Sequence, residues 1–137
     1  MKISLKTEYA CRVMAQLGKA YGKGGFSHID DLAEREEIPS NYLVQILNDL
    51  RNGGLIQSRR GKQGGYALAR DPGQVTLLDI IRAMEGELLE LSGGGKGESG
   101  GGVSRAWKQI SERLVTEAGG ITVEEMAPGA QGEMYYI

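Results

Sequence analysis

Residues 38–70 read IPSNYLVQILNDLRNGGLIQSRRGKQGGYALAR, and their pattern decides the fold. Pro39 pushes the residue before it away from helix, so residues 36–39 form a turn and Pro39 or Ser40 opens a helix. Tyr42, Leu43, Ile46, Leu47 and Leu50 recur at helical spacing and are its buried stripe. The opposite face carries Asn41, Val44, Gln45, Asn48, Arg51 and Asn52, rich in amides and short on acid. Gly53 and Gly54 stop the helix. Residues 55–58 read as a strand, residues 59–65 as a basic glycine-containing tip, and residues 66–69 as the return strand.

A short helix followed by a basic hairpin suits contact with a groove and backbone of duplex DNA. Amide side chains can bond in two places to an adenine edge, and Arg to guanine. A helix-turn-helix presents the N-terminal residues of its second helix to base edges. Ser40, Asn41, Val44 and Gln45 are therefore the candidate readers, with Asn48 and Arg51 further along the same face. In the hairpin, Arg59, Arg60 and Lys62 supply charge, while Gly64 and Gly65 let backbone approach a phosphate or the minor groove. The plainer alternatives are a solvated helix face and a solvated basic turn. Their succession within one stretch favours DNA.

Upstream, Thr7 is positioned to cap a first helix whose stripe is Tyr9, Val13, Met14, Leu17 and Tyr21, ended by Gly22, Gly24 and Gly25. Ser27 is positioned to cap a second, with Ile29, Leu32 and Ala33 facing inward. His28 reads as a residue near that cap, since a lone histidine is a poor metal signal. Downstream, Thr76 caps a fourth helix closed by Gly86, and seven glycines between positions 93 and 102 mark a loop. A fifth helix runs from Val103 to about Ala118. Its stripe of Val103, Trp107, Ile110, Leu114 and Val115 has no later element long enough to cover it, which predicts a homodimer with Val103, Trp107, Ile110 and Leu114 at the interface. Thr122-Val123-Glu124-Glu125 is a capping box for a last short turn.

A chain of 137 residues is expected to be one domain, or one domain plus a small appendage, and no apolar run approaches the roughly 18 residues of a membrane span. No signal peptide opens it, and the single cysteine, Cys11, excludes an intrachain disulfide framework. A cytoplasmic protein is expected. Cys11 reads as a small packing residue. The net charge of −2 conceals an asymmetry: residues 1–70 carry 11 Lys+Arg against 7 Asp+Glu, and residues 71–137 carry 5 against 11. The basic half is the one that holds the hairpin. One His, one Cys and no nucleophile–base spacing argue against an enzyme.

These parts, in this order, resemble the Rrf-two family of bacterial winged-helix regulators. The resemblance rests on the opening MKISLKTEYACRVM, on Tyr42-Leu43, Gln45-Ile46 and Leu50-Arg51 followed by Gly54-Leu55-Ile56, and on Arg60-Gly61 with Gly64-Gly65-Tyr66. Thr76, Asp79-Ile80-Ile81, Trp107 and residues 121–126 extend it over nearly the whole chain. It implies a mainly α fold with a small β-hairpin wing, that is, a winged helix-turn-helix DNA-binding domain plus a long dimerisation helix. The expected division is 1–86 for DNA binding, 87–102 for a glycine-rich loop, 103–126 for the dimerisation helix and short helix, and 127–137 for a tail.

Members of that family which bind iron–sulfur clusters carry three cysteines in the loop before the dimer helix. Here the loop has none, and Ser92, Ser99 and Ser104 occupy its general region. Glu8 stands where some members place an acidic ligand. As written, the chain binds no cofactor by that route; a 2Fe–2S or other cluster requires that these serines replace native cysteines. The tail Met134-Tyr135-Tyr136-Ile137 resembles the cysteine-metabolism branch, whose terminal carboxylate enters the substrate pocket of cysteine synthase. The resulting expectation is a DNA-binding repressor of sulfur and cysteine metabolism that senses through a protein partner. The alternatives are a cluster sensor of the same family and, less favoured, an interaction module without DNA binding.

Overall fold

The computed structural model describes residues 2–91 and 93–130. The elements are helices α1 (Leu5–Ala20), α2 (Ile29–Glu36) and α3 (Ser40–Asn52), strands β1 (Ile56–Arg59) and β2 (Gly65–Leu68), a 3-10 turn (Pro72–Gln74), and helices α4 (Leu77–Glu85), α5 (Gly100–Gly119) and α6 (Val123–Met126). The fold is mainly helical with one antiparallel hairpin, as the sequence implies.

α1 is the central element. Ala10, Val13, Met14 and Leu17 are buried on it, and α2, α3, α4, α6 and β2 all pack around it. Burying a Met or Leu side chain completely contributes roughly 1.5–3 kcal/mol, so this stripe organises the core. The helix starts earlier than the Thr7 cap predicts. Ser4 is the cap, accepting from the Thr7 backbone N–H at 3.2 Å. Thr7 is instead buried, and its hydroxyl donates to Glu85 at the end of α4 at 2.9 Å. The Ser4 backbone N–H donates to the same carboxylate oxygen at 2.9 Å. These bonds hold the Glu85 carboxyl below the usual carboxylate range, the Ser4 backbone bond first. Tyr21, expected in the α1 stripe, lies past the helix end and is exposed.

The cap of α2 also differs. Its N-cap is His28, with no side-chain capping bond. Ser27 is committed elsewhere: its backbone N–H donates to the Tyr66 carbonyl, and its carbonyl accepts from the Tyr66 N–H, both at 2.8 Å. That bridge lays the α1–α2 connection beside β2. The capping boxes at Thr76–Asp79 and Thr122–Glu125 form as read from the sequence.

α5 begins at Gly100, three residues before the expected start at Val103, so Gly100–Gly102 belong to helix rather than loop. Its C-terminal half joins α4 in a small apolar cluster of Leu78, Ile81 and Ala118, with Leu77, Leu88 and Val115 against it. The chain then returns to the main core. Val123 N–H donates to the Val75 carbonyl at 2.8 Å, and Val123 is fully buried. Gly18 makes room for it, since a Cβ there would lie 2.8 Å from Val123 Cγ1.

Candidate nucleic-acid interface

α3 is anchored by Leu43, Ile46, Leu47 and Leu50, all fully buried. Ser40, Asn41, Val44, Gln45, Asn48 and Arg51 are exposed on its outer side. The structure therefore places all six expected readers where a groove could reach them. Tyr42 does not join the buried stripe; it is 44% exposed. Its ring meets that of Tyr9 edge-on, with centroids 6.1 Å apart. Such a pair contributes roughly 0.5–1.5 kcal/mol and braces α3 against α1.

Arg12 extends the brace. Its guanidinium lies 4.8 Å from the Tyr9 ring centroid. Nη1 donates to the Glu36 carbonyl at 2.7 Å, while Nη2 and Nε donate to Glu8 Oε2 at 2.6 and 3.0 Å. The Glu8 hydrogen bond is the main reason the Arg12 pKa is raised further. A salt bridge of 3.6 Å from Lys6 to Asp49 also joins α1 to α3.

The wing follows directly. β1 and β2 pair in the register Ile56↔Leu68, Gln57↔Ala67, Ser58↔Tyr66 and Arg59↔Gly65. Ile56 and Leu68 enter the core and fix the hairpin root. Arg51 links helix to wing, donating from Nη2 to Asn48 Oδ1 at 3.1 Å and from Nη1 to Ser58 Oγ at 3.5 Å. Arg59, Arg60 and Lys62 are exposed. The glycines prove to have a packing reason. Gly64 is buried, and a Cβ on it would overlap the Arg59 carbonyl. Gly65 has φ +133°, and a Cβ there would overlap the Ser27 carbonyl oxygen. Gly64 thus serves the tight hairpin turn, and Gly65 serves the close approach of the α1–α2 connection to β2.

Sequence reasoning missed two members of this region. No sequence pattern marks Arg12 as a bracket, because its partners Glu8 and Glu36 come from two helices. The other is Phe26, whose ring lies 4.7 Å from the Arg59 guanidinium. The signal was available: it is the chain's one phenylalanine, set in a glycine-rich connection.

The residues that bear on an iron–sulfur cluster do not assemble one. The sequence holds a single thiol, Cys11, which is half-buried on α1 against the core. Burial, then the Glu8 charge, push it up to about 11. Glu8 is held by Arg12. Ser99 precedes α5, and Ser104 lies beside Gly94, whose Cβ would approach its Oγ to 3.2 Å. Ser92 lies outside the described residues. Among the described residues no group of three His, Cys, Asp or Glu side chains is placed to hold a metal ion. Clusters need several thiolates, and this donor set does not fit one. The raised thiol carries a direct expectation. Alkylation of Cys11 by iodoacetamide at pH 7.5 is slower than that of a free cysteine by on the order of 100-fold or more, because the thiolate is the nucleophile. Mass spectrometry over time reads the rate; alkylation as fast as glutathione's would refute a shielded, protonated thiol.

Val103, Trp107, Ile110 and Leu114 sit on the outer side of α5 with 53, 39, 46 and 39% of their surface exposed. Met134, Tyr135, Tyr136 and Ile137 lie outside the described residues.

A core-backed reading helix joined to a basic two-stranded wing defines a winged-helix DNA-binding transcriptional regulator, not an enzyme. Comparison with known proteins specifies the family. The Rrf2 model, described as an iron-dependent transcriptional regulator, matches residues 3–129, and the chain belongs to that Rrf2 (Rrf-two) family. It is 35% identical to the HTH-type transcriptional regulator CymR of Bacillus subtilis, over the full length of both chains. The solved structure of CymR, the global cysteine regulator of B. subtilis, superposes with a TM-score of 0.81 at 31% identity, covering 93% of this chain and 96% of that one. The structure of T. potens IscR superposes with a TM-score of 0.75 at 33% identity, covering 99% and 97%. Among the described residues no helix is long and apolar enough to cross a membrane.

Proposed function

We propose that this protein is a homodimeric repressor that binds operator DNA upstream of cysteine or sulfur genes. The observation that carries the reading is the exposed amide face of α3 beside an exposed basic wing, on a chain similar end to end to a cysteine regulator. Ser40, Asn41, Val44 and Gln45 read base edges in the major groove. Asn48 and Arg51 follow the helix toward the wing, and Arg60 with its neighbours Arg59 and Lys62 meets the minor groove and flanking phosphates. Residues 1–86 form the reading unit, 87–99 the connecting segment, and 100–126 the dimerising segment, whose last turn packs back on the reading unit. Val103, Trp107, Ile110 and Leu114 of two copies pack together. Control comes through a protein: residues 134–137 of the tail dock in cysteine synthase, and the synthase complex sets how much regulator is free. The lone shielded thiol argues against direct control by a cluster.

Selection of genomic fragments by the purified protein tests the gene assignment. Enrichment of a near-palindrome upstream of cysteine or sulfur-uptake genes is expected. Enrichment of iron–sulfur assembly promoters would overturn the sulfur reading. For the partner, deletion of Tyr135, Tyr136 and Ile137 is expected to abolish the complex with cysteine synthase while leaving operator affinity unchanged. A truncated protein that still forms the complex would remove the tail from the mechanism.

A further inference from the structure

The two adjacent arginines of the wing are in different situations. Arg60 lies at the tip, past the end of β1. Arg59 is the last residue of β1, and its guanidinium is seated on the Phe26 ring at 4.7 Å. A cation over an aromatic face is attracted by the ring quadrupole, and the stacking narrows the range of directions the side chain samples. Phe26 is itself held in place. It precedes Ser27, whose paired backbone bonds to Tyr66 fix the connection against β2. The absence of a side chain on Gly65 is what allows that approach.

Behind this contact lies an open cavity of about 430 Å³, lined by Gly24, Gly25, Phe26, His28, Arg59, Lys62 and Gln63. Its ionisable side chains are an arginine, a lysine and a histidine, and no carboxylate is among its described lining residues. Lys62 and Gln63 come from the tip, while His28 occupies the N-cap position of α2 with its side chain uncommitted to capping. Arg59 and Lys62 make no salt bridge among the described residues, so their charge is available to an outside anion. Cations, the Gln63 amide and glycine backbone free of side chains, gathered in one hollow, match the needs of a phosphodiester.

We propose that this hollow at the root of the wing is a binding site for one backbone phosphate of duplex DNA, and that Phe26 is the positioning residue that aims Arg59 into it. The inference rests on the wing meeting DNA, and it separates the duties of the two arginines. Arg60 works at the tip. Arg59, with Lys62 and His28, grips the flanking strand and sets how far the wing enters. Phe26 touches no DNA and acts through Arg59.

The test measures binding of the full-length protein to a selected operator fragment and to a random duplex of equal length, over a range of salt. Arg59→Ala is expected to weaken both about 10-fold and to lower the slope of log K against log salt by about 0.9 for each protomer, as loss of one phosphate contact requires. Phe26→Leu weakens both several-fold, Phe26→Tyr restores them, and Phe26→Leu adds nothing in an Arg59→Ala background. A methylphosphonate at the contacted phosphate weakens the wild type clearly more than it weakens Arg59→Ala, in which only Lys62 and His28 remain to meet that phosphate. A purely structural Phe26 would instead lower affinity equally with and without Arg59, together with a lower melting temperature, and that result overturns the proposal. Arg60→Ala run in parallel distinguishes the failures. If Arg60→Ala weakens binding and Arg59→Ala does not, the phosphate site is wrong. If neither matters, the wing does not meet DNA and both readings fall.

Discussion

Ile110→Asp is expected to convert the dimer to monomers and to lower operator affinity on the order of 10²–10⁴-fold. Ile110 is 46% exposed and sits on α5 between Trp107 and Leu114, with Val103 a turn further on. The spacing of three and four residues lines these side chains along one side of a 20-residue helix. Among the described residues, each chain covers the C-terminal part of that helix through the Leu78, Ile81 and Ala118 cluster and leaves this stripe exposed. A stripe of this kind is covered by its own copy in a two-fold dimer, where each residue meets its symmetry mate or a neighbour of it. A carboxylate in the middle of that surface would have to be buried without a partner, which costs more than the lost side chain. Because Ile110 is exposed within one chain, the change leaves the core of the reading unit intact, and circular dichroism should show unchanged helix content. The DNA effect follows from geometry. Two reading helices held by one dimer engage two half-sites, and the second binding event is intramolecular. Sedimentation and binding to one operator should therefore change together. A monomer that keeps full operator affinity would mean that each chain reads DNA alone. A dimer that persists would place the interface elsewhere.

The α3 stripe, the hairpin and the uncovered face of α5 were legible because each is local: periodicity and glycine punctuation carry the signal. What escaped was decided by contacts between distant residues. Ser4 rather than Thr7 caps α1 because Glu85, from the end of α4, takes the Thr7 hydroxyl. Tyr42 leaves the core because Tyr9 offers its ring an edge-on partner on the surface. Helix α5 extends through Gly100–Gly102, where propensity disfavours helix by about 1 kcal/mol per glycine, so composition alone reads these residues as loop. The burial of Val123 depends on the bare face of Gly18, more than a hundred positions earlier. The same limit applies to the reading surface. Its residues could be chosen from the pattern of α3, but the Phe26–Arg59 contact and the Arg12 bracket are pairings across elements, visible only once the elements are packed.

Arg60→Ala should lower operator affinity by about 10- to 100-fold per wing, since a charge-assisted hydrogen bond contributes roughly 1.5–3 kcal/mol. With two wings in a dimer the effects multiply, and the salt dependence flattens as cationic contacts are lost. Unaltered affinity and salt slope would remove Arg60 from the interface. Gly65→Ala is the sharper probe, because it leaves every charge in place and disturbs only the wing's seat. Gly65 has φ +133°, a conformation an L side chain rarely adopts, and the added methyl would overlap the Ser27 carbonyl oxygen. Strain of this kind costs of order 1–3 kcal/mol even before the clash is counted. The cheapest relief is to break the Ser27–Tyr66 bridge and swing the strand outward, which carries Arg59 off the Phe26 ring and moves Arg60 with it. Ile56 and Leu68 remain core residues, so the helical body stays folded while the hairpin shifts. Gly65→Ala should therefore cost at least as much DNA affinity as Arg60→Ala, with helix content preserved. Full affinity with a lower melting temperature would show that the bridge to Ser27 stabilises the fold but does not aim the wing.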